Sequence, residues 1–133
     1  MKTKKVWANL CVEDVARTRK FYKELGFKSN EGKHTTPELI SFLVGKNDFV
    51  VHFFSSDSDQ FMTSIGGKIA DLSQGSEVMF TLSADSEEEV DQWAEAVKRA
   101  GGTLFSKPQK IQENWYGCGF ADPDGHKWNV FYM

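Results

Sequence analysis

The stretch Cys11–Phe27, CVEDVARTRKFYKELGF, decides the fold, because Leu82–Gly102, LSADSEEEVDQWAEAVKRAGG, repeats its plan. Each leaves a strand, passes an Asp-containing cap, enters an amphipathic helix and stops at glycine. In the first copy Asp14 is the expected N-cap. Val15, Phe21, Tyr22 and Leu25 form one apolar stripe, and Gly26 ends the helix. In the second, Ser86 and Glu89 make a capping box, in which each satisfies a backbone N–H that the first turn leaves unpaired. Val90, Trp93, Ala94 and Val97 fall at i, i+3, i+4 and i+7, so one face is apolar, and Gly101 and Gly102 follow. A repeat of this kind sets the architecture: an α+β fold of two tandem βαβββ modules.

Strands surround both helices. Val6, Ala8, Leu10 and Val12 alternate with Trp7, Asn9 and Cys11, a period of two that reads as a strand with two environments. ELISFLVG and DFVVHFF, joined across GKND, read as a hairpin. The polar, Gly/Ser-rich run from about Ser55 to Ser76 reads as a connector with a short helix near Gln60–Ile65. The second copy opens with EVMFTLSA; after its helix come a short strand, TLF, a longer one in ENWYGCGFA, the turn DPDG and a last strand, HKWNVFYM. Module 1 then spans about residues 6–55, the connector about 56–76 and module 2 about 77–133, within one domain covering 1–133.

Composition excludes several functions. A net charge of −3 and no Lys/Arg-dense segment leave no face to grip phosphates, so no nucleic-acid partner is expected. No run approaches the roughly 20 apolar residues that span a bilayer, and the start lacks the apolar run of a signal peptide. No membrane partner is expected, and the expected location is cytoplasmic. Cys11 and Cys118 are then reduced thiols, read as small buried or half-buried side chains. Aromatic residues make up 14% of the chain, more than a small core needs, so some are expected to line a ligand cavity.

The run NLCVEDVARTRKFYKELGF, together with FADPDGHKWNVF, resembles the vicinal oxygen chelate superfamily: glyoxalase I, bleomycin-resistance proteins and extradiol dioxygenases. The resemblance runs from about Val6 onward and is nearest to small bacterial proteins described as predicted lactoylglutathione lyases. It implies that each module curls its mixed sheet into half a barrel, that two modules enclose a cleft, and that a homodimer completes it. Metal-using members hold a divalent ion with His and Glu at four strand positions, which here carry Trp7, His52, Met79 and Asn129. Of these only His52 is a good ligand. Asn129 offers a neutral oxygen, Met79 a soft sulfur, and the Trp7 indole no lone pair. The inherited metal site is therefore expected to be lost, with no cofactor and no metal-binding residue.

The expected function is that of a glyoxalase/bleomycin-resistance-like protein that binds a small, partly aromatic or apolar molecule. Trp7, Asn9 and Cys11 share one strand face, His52 alternates with Val50 and Phe54, Met79 aligns with Thr81 and Ser83, and Asn129 with Phe131. Such a lining suits an uncharged, flat ligand, although the same residues could simply pack a barrel interior. Trp115 and Tyr116 precede Gly117 and Gly119, and either could wall the cleft; the glycines mark a bulge or a close approach. The alternative is a lyase or isomerase in which His52 is the catalytic base or a residual ligand, since an imidazole trades protons near neutral pH. Glu38 and Glu113 read as solvated, and Asp122–Gly125 and His126 as turn chemistry.

Overall fold

The structure is a computed structural model that describes residues 1–32 and 35–133. The chain divides into two compact units, Met1–Ala70 and Asp71–Met133.

The first unit runs β1 (Trp7–Val12), α1 (Val15–Glu24), β2 (Lys28–Ser29), β3 (Leu39–Val44), β4 (Phe49–Ser55) and α2 (Asp59–Ile65). Its sheet has the order β1-β4-β3-β2, with β1 parallel to β4 and the other pairs antiparallel. Asp14 caps α1 by accepting from the Arg17 N–H at 2.9 Å. The helix brings Phe21 and Tyr22 onto the sheet, where Tyr22 stacks on Phe53 with centroids 4.6 Å apart and meets Phe42 at 5.7 Å. Thr18, outside the predicted stripe, is also fully buried; its hydroxyl donates to the Asp14 carbonyl at 3.0 Å, so burial leaves it satisfied. The strand β2 has only two residues and no alternation to announce it.

The second unit runs β5 (Met79–Ser83), α3 (Glu87–Ala100), β6 (Thr103–Gln112), β7 (Trp115–Ala121) and β8 (Lys127–Tyr132). Its order, β5-β8-β7-β6, and its pattern of one parallel and two antiparallel pairs repeat those of the first unit. Val90, Ala94 and Val97 of α3 are buried, as are Cys118, Phe120, Trp128 and Val130 of the sheet. Trp93, Phe120 and Trp128 form a ladder of near-parallel rings. The α3 cap differs in one detail from the expected box: Glu89 donates its N–H to the Ser86 hydroxyl, but its carboxylate accepts from Asp85 instead of Ser86.

The short strand expected at TLF is in fact ten residues long. It contains Pro108, which a sheet tolerates here because β6 is an edge strand and needs no N–H on its outer side. Register shifts between Leu104 and Ser106, and again further on, break its alternation and hid it in the sequence.

Candidate functional site

In each unit one sheet face packs under the helix and the other is left open. On the first sheet, paired residues form three open-face rows: Trp7–Val50–Leu43, Asn9–His52–Ser41 and Cys11–Phe54–Leu39. Residues paired across a ladder point to the same side, so period two in β1 and β4 alone assigns the faces. His52 stands between two aromatic rings, 6.4 Å from Trp7 and 6.2 Å from Phe54. Among the described residues no side chain hydrogen-bonds its imidazole. Burial holds the His52 pKa below its ordinary 6.5, because a half-buried site disfavours the charged ring. The imidazole is therefore neutral at pH 7, with one nitrogen able to donate and the other able to accept.

The open face of the second sheet carries the rows Met79–Lys127–Ala121, Thr81–Asn129–Gly119 and Ser83–Phe131–Gly117. The Asn129 amide donates to the Met79 sulfur, which leaves its carbonyl oxygen as the outward polar group. Gly117 and Gly119 are places of close approach, as their spacing suggested. A Cβ at Gly117 would lie 2.0 Å from the Phe131 ring, and one at Gly119 would lie 2.3 Å from the Phe105 ring. Trp115 adds a third ring, 5.9 Å from Phe131 and tilted by 48°.

The structure therefore brings Trp7, Asn9, Cys11, His52 and Phe54 together on one face, and Met79, Thr81, Trp115, Asn129 and Phe131 on the other. It separates Tyr116 from them. Tyr116 pairs with Tyr132 in the ladder and points to the helix side, where its hydroxyl donates to the Asp91 carboxylate of α3 at 2.8 Å. That bond and the nearby negative charge raise its pKa above 10. Phe105 and Lys127 were missing from the sequence reading: the bulge in β6 concealed the first, and nothing in the local pattern distinguished the second.

The remaining candidates have structural roles. Cys118 lies buried under α3, where burial first and the Asp91 charge second push its thiol up to about 11, so it is no thiolate nucleophile. Asp122 is 3% exposed, and one of its carboxylate oxygens accepts the N–H groups of Asp124, Gly125 and His126 at 2.9–3.0 Å, closing the turn. Glu113 lines a cavity of about 290 Å³ with Glu87, Lys110, Trp115 and Tyr132 at the turn end of the β6–β7 hairpin.

A divalent ion has a poor donor set here. Among the described residues no three His, Cys, Asp or Glu side chains come together. Of Trp7, His52, Met79 and Asn129, only His52 offers a donor that such ions prefer, so these residues do not fit the ion. Also among the described residues, no helix is long and apolar enough to cross a membrane.

A model of the Glyoxalase/Bleomycin resistance protein/Dioxygenase superfamily matches residues 5–130. The structure is similar to that of the hypothetical protein SA1046 from S. aureus, with TM-score 0.85 and 29% identity, covering 100% of this chain and 96% of that one. It is also similar to a glyoxalase-related enzyme from Fulvimarina pelagi, with TM-score 0.81 and 22% identity, covering 98% and 89% of the two chains. A fosfomycin resistance protein from Listeria monocytogenes, FosX, crystallised with Mn(II) and sulfate, aligns with TM-score 0.68 and 18% identity over 98% and 90%. At these identities the last two show a shared fold alone. No curated protein matches the sequence.

Proposed function

The chain belongs to the Glyoxalase/Bleomycin resistance protein/Dioxygenase superfamily, and from that premise we propose that it binds a small, partly aromatic or apolar molecule on its open sheet faces. One observation carries the proposal. Both faces present aromatic rings around neutral polar groups, Trp7–His52–Phe54 in one unit and Phe105–Phe131–Trp115 beside Asn129 in the other. No strand position on either open face holds a carboxylate. Apolar walls with a few placed polar groups are the usual make-up of a small-molecule site.

The proposal includes the loss of the divalent-metal site, since the donor set does not fit an ion, and a homodimer in a cytoplasmic setting. Its test is a thermal-shift screen of planar aromatic molecules, run beside calorimetric titrations with zinc, nickel and manganese. A ligand at a hundred times its dissociation constant adds about 2.7 kcal/mol, enough to raise Tm by several degrees. The expected result is at least one such ligand and no stoichiometric metal. A stoichiometric metal bound through His52 would overturn the proposal, as would a screen without a single hit. Sedimentation of the purified protein as a monomer would remove the dimer.

One observation supports a second reading, a lyase or isomerase. A neutral His52 in a half-buried setting can accept a proton from a carbon acid next to a carbonyl and return it at another atom. Turnover that survives in His52→Ala would remove the imidazole from the chemistry.

A further inference from the structure

The geometry points to a lysine-ended aromatic floor on the second sheet, built by Gly117, Gly119, Phe105, Phe131 and Lys127, that takes planar aromatic carboxylates. The inference rests on the proposed binding function and names the ligand class.

Glycine in an interior strand weakens it, and β7 lies between β8 and β6. Its two glycines have a visible use. Phe131, from β8, and Phe105, from β6, both lie across the β7 backbone, at distances that no Cβ would allow. Positions two apart on a strand are roughly 7 Å apart, so a fused two-ring system or a substituted single ring can cover both. The floor remains open to solvent, for Phe105 is 47% and Trp115 40% exposed.

Charge supplies the second half of the argument. The Lys127 Nζ sits over the Phe105 ring, 5.3 Å from its centroid. That contact fixes the ammonium at the edge of the floor, and among the described residues no carboxylate pairs with it. A fixed, unpaired ammonium beside an exposed aromatic surface is complementary to an anion attached to a ring. A carboxylate is the simplest such group, and its charge-assisted hydrogen bond to Nζ would form at one end of the stack. The Asn129 carbonyl oxygen, in the row between Lys127 and Phe131, can accept from a donor on the ring.

The test compares 2-naphthoate with naphthalene-2-carboxamide, which keeps the shape and loses the charge. Affinities are read by calorimetry, and the location by NMR shifts at Gly117 and Gly119. Wild type is expected to bind naphthoate about tenfold more tightly, the scale of one charge-assisted hydrogen bond. Lys127→Met, which keeps the stem over Phe105, is expected to abolish the preference by weakening naphthoate much more than the carboxamide; Lys127→Arg is expected to retain it. Gly119→Ala, which displaces Phe105, is expected to weaken both ligands. If the carboxamide binds on this face as tightly as naphthoate, or if Lys127→Met keeps the preference, the inference falls and the binding function stands. If neither probe binds, the inference falls, and the broader ligand screen decides the binding function separately.

Discussion

The Phe131 ring lies across Gly117, so that a Cβ at that glycine would stand 2.0 Å from Cδ1 of the ring and 2.8 Å from the Val130 carbonyl oxygen. Sequence neighbours do not create this relationship. The antiparallel pairing of β7 with β8 sets the two residues opposite each other, and the absent side chain lets the ring lie flat.

Gly117→Ala is therefore expected to destabilise the protein by about 1–3 kcal/mol, the usual cost of forcing one extra carbon into a packed site. Urea unfolding measures it as a lower midpoint at unchanged slope. Because the backbone oxygen cannot move aside as the ring can, a variant as stable as wild type would contradict the described packing.

Asp122→Ala is expected to cost at least about 2 kcal/mol, since three turn N–H groups lose a buried charged acceptor. Asp122→Asn retains an oxygen and is expected to lose less. Equal losses in the two variants would show that the acceptor geometry is not what stabilises the turn.

His52 carries a pH dependence with a definite sign. Its folded pKa lies below the ordinary 6.5, so the unfolded chain binds the proton more readily. Its stabilising contribution is complete above 6.5 and is lost as pH falls through the lower folded value. NMR titration of the imidazole is expected to give a midpoint under 6.5, and wild type is expected to lose more stability than His52→Gln between pH 7.5 and pH 5.5. A midpoint above 6.5 would mean that an anionic partner faces the ring.

Cys118 is expected to resist alkylation in the native protein. With its thiol raised to about 11, roughly one molecule in a thousand carries the thiolate at pH 8. Mass spectrometry after iodoacetamide treatment should show Cys11, half-buried on the open face, modified first. Cys118 should be modified only on unfolding. Early native labelling of Cys118 would place it outside the core.

Much of the fold was legible in the chain because its signals are local. Capping residues, helical stripes and stop glycines lie within a few positions of one another, so Asp14 to Gly26 and Ser86 to Gly101 announce α1 and α3 unaided. Alternation in β1 and β4 likewise assigned Trp7, Asn9, Cys11, His52 and Phe54 to one face. Legibility failed where the pattern was interrupted. The two residues of β2 are too few to alternate, and the β6 bulge beside Leu104 and Ser106 shifted Phe105 out of step. Tyr116 adjoins Trp115 in sequence, yet the pleat turns it to the opposite face and onto Asp91.

The sequence by itself determined the repeat, the helices, the superfamily and which side chains stand at Trp7, His52, Met79 and Asn129. Each of these depends on residue identity or on short-range periodicity. Only the tertiary structure decided which rings lie over Gly117 and Gly119, that Lys127 sits over Phe105, and that Tyr116 belongs to the helix face. The physical reason is register. Those contacts join residues on different strands, and the pairing that aligns them is set by the sheet as a whole.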